Sequence, residues 1–223
     1  MHRDQRGRDT LVRRIGLFGG TFDPVHYGHL RSALELREAL GLHEVRFIPC
    51  HHPPHRDTPA ASADQRLHML KLALSGADFC VIDERELAIE RPSYTVETLM
   101  ALRQEFPQAP FYWFMGMDAF AGFNTWHRWT EILELTHLVV TPRPGSGQVL
   151  PAELEALLKD RHAPIGQATE GVMFQAGSIF IQTVTQLDIS ATHIRGLVAS
   201  NHSLRYLLPE PVRQYIEEEN LYL

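Results

Sequence analysis

Short apolar runs alternate with longer segments of helical periodicity through the first two-thirds of the chain. The runs that we interpret as buried strands are Ile15–Phe18, Val45–Ile48, Phe79–Ile82, Phe111–Met115, Leu138–Val140 and, after a weaker region, Ile179–Gln182. Because strands that alternate with helices form βαβ units, the pattern predicts a parallel sheet covered on both faces. The predicted fold class is α/β: a doubly wound parallel sheet in a single domain, with a small helical part at the carboxyl end.

Two of the intervening segments carry clear helix boundaries. Ser62 followed by Gln65 has the form of a capping box, which marks a helix start. The segment Thr95–Phe106 is periodic and stops before Pro107, a residue that ends helices. The predicted apolar faces of these two helices are Leu67, Leu70 and Leu74 in the first and Val96, Leu99 and Leu102 in the second. A shorter helix is predicted over Ala152–Leu158.

A glycine turn and two histidines lie between the first apolar run and a predicted helix over Leu30–Leu36. Glycine lets backbone N–H groups approach an anion, and a helix N-terminus offers further unpaired N–H groups. His26 and His29, three residues apart, can face the same way and donate hydrogen bonds to phosphoryl oxygens. The turn follows a strand, so it belongs at the carboxyl edge of the sheet, where such sheets bind ligands. The alternative is that the glycines only shape a turn and the histidines only cap a helix.

A second polar cluster, Ser190 to Arg195, follows the last predicted strand. Ser190 is placed to cap a short helix that runs to Ala199. A second helix N-terminus, the hydroxyls of Ser190 and Thr192, and the paired donors of Arg195 would together bind a triphosphate. Here the alternative is a capping serine beside a solvated surface charge.

Composition limits the classes of function. The chain has 223 residues, 44% hydrophobic and 22% charged, and a formal net charge of −6. These values are typical of one globular domain and argue against a protein that coats nucleic acid, although a local cationic cluster can still hold a polyanionic substrate. Residues 1–14 carry five Arg and two Asp, and we interpret them as a mobile extension without the apolar segment of a signal peptide.

Cysteine usage and apolar run lengths predict the compartment. Cys50 and Cys80, the two cysteines, lie in or beside apolar runs and favour reduced thiols. No apolar stretch approaches the ~20 residues that span a bilayer. The expectation is a cytoplasmic protein with small-molecule partners and neither nucleic-acid nor membrane partners; the sequence carries no signal for an oligomeric state.

Residues 19–29, GGTFDPVHYGH, resemble the nucleotide-binding signature of the bacterial nicotinate-nucleotide adenylyltransferases. That family lies within the nucleotidylyltransferase superfamily, whose shared core is T/HxGH, here His26-Tyr27-Gly28-His29. Ile189–Arg195 is similar to the family's ISxTxIR motif, and the segment from Tyr206 to Tyr222 is similar to its terminal helix. The resemblance covers residues 16–223 except 144–171 and implies a Rossmann-like nucleotidylyltransferase domain over 15–223.

The resemblance implies transfer of the adenylyl group of ATP to nicotinate mononucleotide, giving nicotinate adenine dinucleotide and pyrophosphate. His26 and His29 are the implied catalytic residues. The implied ATP-binding residues are Gly19, Gly20, Thr21, Phe22, His26, His29, Arg56, Ser190, Thr192 and Arg195. Magnesium is expected to enter with ATP, and no protein ligand for a metal is named. Two alternatives are an enzyme that prefers nicotinamide mononucleotide and a nucleotide-binding regulator without turnover.

Three segments resemble the family's acceptor site: Pro53–Arg56, Arg91–Thr95, and Phe114–Asp118 with Asn124–Trp129. The implied acceptor-binding residues are His55, Thr95, Asp118, Trp126 and Arg143. Thr95 at a helix entrance suits a carboxylate, the Trp126 ring suits stacking on a pyridine, and Asp118 suits ribose hydroxyls. Arg143 would meet the acceptor phosphate, while His55 and Arg56 would clamp phosphates. Arg56 stands where the family usually has Lys, which keeps the charge but changes the donor geometry.

Three alternatives remain open at this site. Trp126 and Trp129 have the spacing of core aromatics, which is the commoner use of such residues. His51, His52 and His55 could chelate zinc, which would make the protein a zinc-dependent hydrolase. Asp23, in the glycine turn, could contact a metal, the substrate or only the backbone of the turn, and the favoured interpretation is an Asx-type turn.

Overall fold

A computed structural model of the chain describes residues 13–51, 58–89, 91–142, 149–168 and 176–223. The strands in these ranges are β1 Ile15–Gly20, β2 Glu44–Pro49, β3 Cys80–Ile82, β4 Phe111–Gly116, β5 His137–Thr141 and β6 Ile179–Ile181. The helices are α1 Tyr27–Leu40, α2 Ala63–Leu74, α3 Thr95–Glu105, α4 Met117–Ala121, α5 Trp129–Leu135, α6 Ala152–Arg161, α7 Ala191–Ala199 and α8 Glu210–Glu218. Phe123–Thr125 and Ile165–Ala168 form short 3₁₀ helices.

The strands form one parallel sheet in the order β3-β2-β1-β4-β5-β6. The order reverses between β1 and β4, so the chain winds outward first on one side of β1 and then on the other. This is the doubly wound, Rossmann-like topology, and the predicted fold class is confirmed. Every predicted strand is present within a residue or two of its predicted bounds.

Side chains of the central strands alternate between two hydrophobic layers. In β4, Phe111, Trp113 and Met115 pack with α3 and α5, whereas Tyr112 and Phe114 pack on the side of α1 and α8. All five are at most 5% exposed, because a parallel strand with helices on both faces has no solvent-facing side. This explains why β4 has a continuous apolar sequence instead of an alternating one.

The predicted start of α2 is confirmed, but its predicted apolar face is partly wrong. Ser62 and Gln65 form the reciprocal capping box, with N···O distances of 2.9 and 3.2 Å. Leu70 and Leu74 are buried as expected, whereas Leu67 is only half-buried and Arg66 is 1% exposed. The buried arginine is explained by its neighbours, because α2 lies beside the glycine turn and Arg66 hydrogen-bonds to that turn's backbone.

Other boundaries differ from prediction where the chain offered weak local signals. Helix α1 begins at Tyr27, three residues before the predicted start, and α6 continues to Arg161. The short helices α4 and α5 were not predicted; α5 has seven residues, too few for a clear periodicity. In α3, Val96, Leu99 and Leu102 are fully buried as predicted.

The amino-terminal extension lies outside the described residues except for its last two. Arg13 pairs with Glu44, and Arg14 donates a 3.2 Å hydrogen bond to the carbonyl of Ala168, so these two are held against the domain. Cys50 and Cys80 are free thiols, each partly buried. Within the described ranges, none of the helices has the length and apolarity needed to cross a bilayer.

Candidate active site

A cleft of about 1260 Å³ opens at the carboxyl ends of β1 and β4, where the strand order reverses. One side is lined by the glycines that end β1 and by the first turns of α1 and α7. The other side is lined by the start of α3 and by the segment from α4 to the following 3₁₀ helix. The two polar clusters and the acceptor segments singled out in the sequence therefore share one cavity, as far as they lie in the described residues.

Close packing, and not an unusual backbone conformation, explains the glycines of the turn. The residue of the turn that has a left-handed backbone conformation is Phe22. Gly19 and Gly20 are the last two residues of β1, and a Cβ on Gly19 would lie 2.7 Å from the Trp113 ring. Phe22 has φ = 50°, buries its ring at 2% exposure, and turns the chain toward α1. A left-handed conformation costs energy for a residue with a side chain, and burial of the Phe22 ring offsets that cost.

The HxGH core forms one stacked unit at the start of α1. His26 is the N-cap residue, and its ring stacks on that of His29 with centroids 3.7 Å apart and an interplanar angle of 28°. Gly28 leaves the space that this stacking needs, because a Cβ there would lie 2.9 Å from His26 Nδ1. The spacing of the motif thus follows from the two imidazoles sharing one turn.

The hydrogen bonding of His29 determines which of its ring nitrogens carries the proton. The backbone N–H of His26 donates to His29 Nδ1 at 3.3 Å. A nitrogen that accepts a hydrogen bond carries no proton, so neutral His29 has its proton on Nε2. The rings of Phe18 and Phe22 pack edge-on against His29, with centroids 5.9 and 5.2 Å away, and hold its orientation.

The start of α7 lies against the same turn. Ser190 caps α7, accepting the N–H of His193 at 3.1 Å, and both Ser190 and Thr192 line the cleft. Arg195 donates to the carbonyl of Asp23 at 2.7 Å and to Thr192 Oγ1 at 3.4 Å. Arg195 is therefore not a solvated surface charge: it is half-buried and spans the two helix starts.

Asp23 does not act through an Asx turn, contrary to the interpretation favoured by the sequence. Its carboxylate accepts the N–H groups of Ala60 and Ala61 at 2.8 and 3.2 Å and the hydroxyl of Tyr222 at 2.8 Å. Asp23 is 4% exposed, so these donors compensate a buried charge. It links the turn to the segment before α2 and to the carboxyl end of the chain.

The predicted acceptor residues Thr95, Asp118 and Trp126 all line the opposite side of the cleft. Thr95 is the first residue of α3, and the backbone N–H groups in the first turn of a helix have no hydrogen-bond partner within that helix. Trp126 is partly buried, packing edge-on against Phe123 at 5.6 Å, and keeps part of its ring toward the cleft. Trp129 also packs on Phe123, at 5.7 Å, and does not line the cleft in the described residues.

Three predicted site residues, His55, Arg56 and Arg143, lie outside the described residues. The same holds for His52, so the zinc alternative at His51–His55 involves residues that are not described. Within the described ranges, no group of three or more His, Cys, Asp or Glu is arranged to hold a metal.

Arg66 is a residue of this site that sequence reasoning missed. Its guanidinium donates to the carbonyl of Thr21 at 2.8 Å and to that of His51 at 3.3 Å, which fixes the backbone after β1 and after β2. The only sequence signal was a charged residue on the buried side of an amphipathic helix.

Glu86 and Cys50, also missed, line the cleft. Burial raises the pKa of the Glu86 carboxyl, which accepts the Thr98 hydroxyl at 2.6 Å. Burial likewise raises the pKa of the Cys50 thiol, which lies 3.8 Å from Thr21 Oγ1. Because both groups lie in loops after strands, no periodic pattern marks them.

Two solved structures with the same fold come from one enzyme. The Plasmodium falciparum nicotinic acid mononucleotide adenylyltransferase complexed with NaAD superposes with a TM-score of 0.72 at 16% identity, covering 94% of this chain and 97% of that one. The same enzyme complexed with APC gives a TM-score of 0.69. At this identity the likeness concerns the fold.

Sequence comparison goes further than the fold. The cytidylyltransferase-like family matches residues 17–197. A protein of Aeromonas hydrophila named "Probable nicotinate-nucleotide adenylyltransferase" is 46% identical over 208 residues, which cover 93% of this chain and 96% of that protein. One of the same name from Pseudomonas putida W619 is 47% identical over 212 residues, 95% of each chain. The chain belongs to the cytidylyltransferase-like family and, within it, to the nicotinate-nucleotide adenylyltransferases.

Proposed function

We propose that this protein transfers the adenylyl group of ATP to nicotinate mononucleotide, forming nicotinate adenine dinucleotide and pyrophosphate in NAD biosynthesis. The observation that carries the proposal is the Arg195–Asp23 hydrogen bond, which brings the starts of α1 and α7 together on one cleft. Two helix N-termini and a guanidinium then face a single region, which suits a polyphosphate. Residues 15–223 would form the nucleotidylyltransferase domain, preceded by the extension.

On the phosphate side, His26 and His29 contact the ATP phosphates. His29 donates from Nε2, because Nδ1 already accepts the His26 N–H. Backbone groups of Gly19, Gly20, Thr21 and Phe22 pack against the nucleotides, since these residues line the cleft. Ser190, Thr192 and Arg195 hold the β- and γ-phosphates and then the leaving pyrophosphate.

On the acceptor side, the first turn of α3 at Thr95 receives the carboxylate of the pyridine ring. Its hydroxyl and backbone N–H groups are donors suited to a negative group. The open part of the Trp126 ring stacks on the pyridine, and Asp118 accepts hydrogen bonds from ribose hydroxyls. His55, Arg56 and Arg143 stay as predicted phosphate-binding residues.

The chemistry is an in-line displacement at the α-phosphorus of ATP. An oxygen of the acceptor phosphate forms the new P–O bond, the bond to the oxygen bridging the α- and β-phosphorus breaks, and its electron pair leaves with pyrophosphate. The attacking oxygen is already ionised at neutral pH, so no general base is needed. The protein contributes positioning and donors toward the developing charge, with His29 Nε2 and Arg195 the central ones.

Magnesium fits this site as part of the ATP complex. The Asp23 carboxylate is used by three protein donors. The donor set thus suits a cation held mainly by phosphate oxygens and water, as Mg²⁺ commonly is. When bound, the ion would neutralise phosphate charge.

The test is pyrophosphate release with purified protein, ATP and Mg²⁺, comparing nicotinate and nicotinamide mononucleotides side by side. We expect release with both, and a higher kcat/KM for the acid. A reversed preference would indicate the amide-using enzyme, and ATP binding without release would indicate a regulator.

A further inference from the structure

The penultimate residue of the chain lies beside the proposed phosphate site. After α8, Leu221 packs into the core at 8% exposure, and Tyr222 adopts φ = 69°. Its hydroxyl donates to Asp23 Oδ1 at 2.8 Å across 199 residues of sequence, and it also lies 3.9 Å from Met69 Sδ. A left-handed backbone costs energy for a tyrosine, so the contacts of the hydroxyl and the burial of Leu221 must hold the ring in this placement.

The Asp23 carboxylate accepts three hydrogen bonds, including that of the Tyr222 hydroxyl, and has one cationic neighbour, Arg195. Oδ1 of Asp23 accepts Tyr222 and Ala61, while Oδ2 accepts Ala60. Arg195 Nη1 lies 3.8 Å from Oδ2 while it donates to the Asp23 carbonyl at 2.7 Å. At 3.8 Å the guanidinium and carboxylate are close enough to attract but too far apart to hydrogen-bond.

In this arrangement Arg195 hydrogen-bonds to Asp23 and also lines the cleft. A buried carboxylate that loses a donor gains from drawing in another, and the Arg195 guanidinium already lies 3.8 Å from Oδ2. A shift of Arg195 onto Oδ2 would turn its fork away from Thr192 and from the phosphates. The Tyr222 hydroxyl supplies the donor that makes this shift unnecessary.

We propose that Tyr222 is a positioning residue for ATP: by donating to the Asp23 carboxylate, it keeps the Arg195 guanidinium available to the triphosphate. The inference rests on the proposed function, because it assigns Arg195 to the ATP phosphates. It gives the carboxyl end of the chain a defined part in binding at a site formed about two hundred residues earlier.

The test compares Tyr222→Phe with Tyr215→Phe. Tyr215 lies on α8 and its ring packs against that of His68, with centroids 4.5 Å apart. It does not line the cleft, so its variant controls for loss of a tyrosine hydroxyl in the same part of the fold. We expect Tyr222→Phe to raise the KM for ATP roughly tenfold, the size predicted for loss of one hydrogen bond between Arg195 and a charged phosphate. The KM for the acceptor should stay within about twofold of wild type. Tyr215→Phe should leave both KM values unchanged.

A double-variant cycle tests the route through Asp23. In an Asp23→Asn background the neutral amide no longer attracts Arg195, so adding Tyr222→Phe should change the KM for ATP by less than about twofold. If Asp23→Asn does not fold, the comparison of Tyr222→Phe with Tyr215→Phe decides alone. An unchanged KM for ATP in Tyr222→Phe, or equal rises for both substrates, would overturn the inference.

Calorimetric titration with ATP separates this result from failure of the proposed function. If wild-type protein binds ATP but transfers no adenylyl group, the proposed function fails. The roughly tenfold weaker ATP binding of Tyr222→Phe would still support the inference, and unchanged binding would overturn it.

Discussion

Arg195 donates a 2.7 Å hydrogen bond to the main-chain carbonyl of Asp23, although 172 residues separate them in sequence. The bond joins α7 to the turn that precedes α1, so the two segments proposed to bind phosphate are positioned by each other. A planar guanidinium can keep this bond and still offer N–H groups to phosphate, which a lysine ammonium cannot do in the same geometry.

We therefore expect Arg195→Lys to raise the KM for ATP about tenfold or more, although the charge is retained. Steady-state kinetics with ATP varied at saturating acceptor measures this. Arg205→Lys, at an exposed position before α8, is the matched control and should behave as wild type. Equal KM values for the two variants would contradict the assignment of Arg195 to phosphate binding.

Gly28→Ala tests whether activity requires the stacking of His26 on His29, because the change favours the helix but disturbs the stacking. Alanine favours a helix over glycine by roughly 1 kcal/mol, yet its Cβ would lie 2.9 Å from His26 Nδ1 and separate the two rings. We expect a folded protein with kcat lower by about 100-fold, as for loss of one transition-state donor.

Gly196→Ala is the control for that variant. Gly196 lies in α7, and a Cβ there meets nothing within 4 Å. This change should stabilise the protein by about 0.5–1 kcal/mol and leave turnover unchanged. Thermal unfolding and pyrophosphate release distinguish the two glycine variants, and normal turnover in Gly28→Ala would show that the stacking is dispensable.

His29 should act through Nε2. We expect His29→Ala to lower kcat by about 100-fold or more with the fold retained. His29→Gln, whose amide reaches toward the Nε2 position, should retain more activity than His29→Asn, whose shorter amide matches the Nδ1 position. The reverse order, measured under the same saturating conditions, would contradict the assigned donor atom.

Trp126 and Trp129 pack on the same phenylalanine but differ in access to the cleft. Trp126→Ala should raise the KM for the acceptor roughly tenfold by removing the stacking face, with little effect on ATP. Trp129→Ala should lower the melting temperature without this selective effect. If both variants change acceptor KM equally, Trp126 serves only as a core aromatic.

Glu86 should make stability depend on pH. Burial raises its pKa above the ordinary value of 4.5, so the folded state binds the proton more tightly than the unfolded state. Its favourable contribution is thus full below pH 4.5 and is lost as the pH rises through the folded-state pKa. Glu86→Gln should gain stability relative to wild type with rising pH, measured by urea unfolding from about pH 5 to about pH 8. A constant difference across this range would contradict the prediction.

Structural features that depend on residues close together in sequence were predictable, because their physical causes are local. The capping box of Ser62 and Gln65, the strand β4 and the buried face of α3 follow from side-chain size, polarity and helical spacing. Where the local signal was weak, as in the seven-residue α5, or misleading, as at Arg66, tertiary contacts decided the outcome.

By itself the sequence determined the alternation of strands and helices, the HxGH spacing and the residue types available for phosphate binding. Only the tertiary structure decided that Asp23 accepts from Tyr222 and that Arg195 spans two helix starts. The physical reason is the separation in sequence between the interacting residues. Helix caps and strand faces depend on neighbours a few residues away, whereas the partners of a buried charge depend on how distant segments pack around the end of β1.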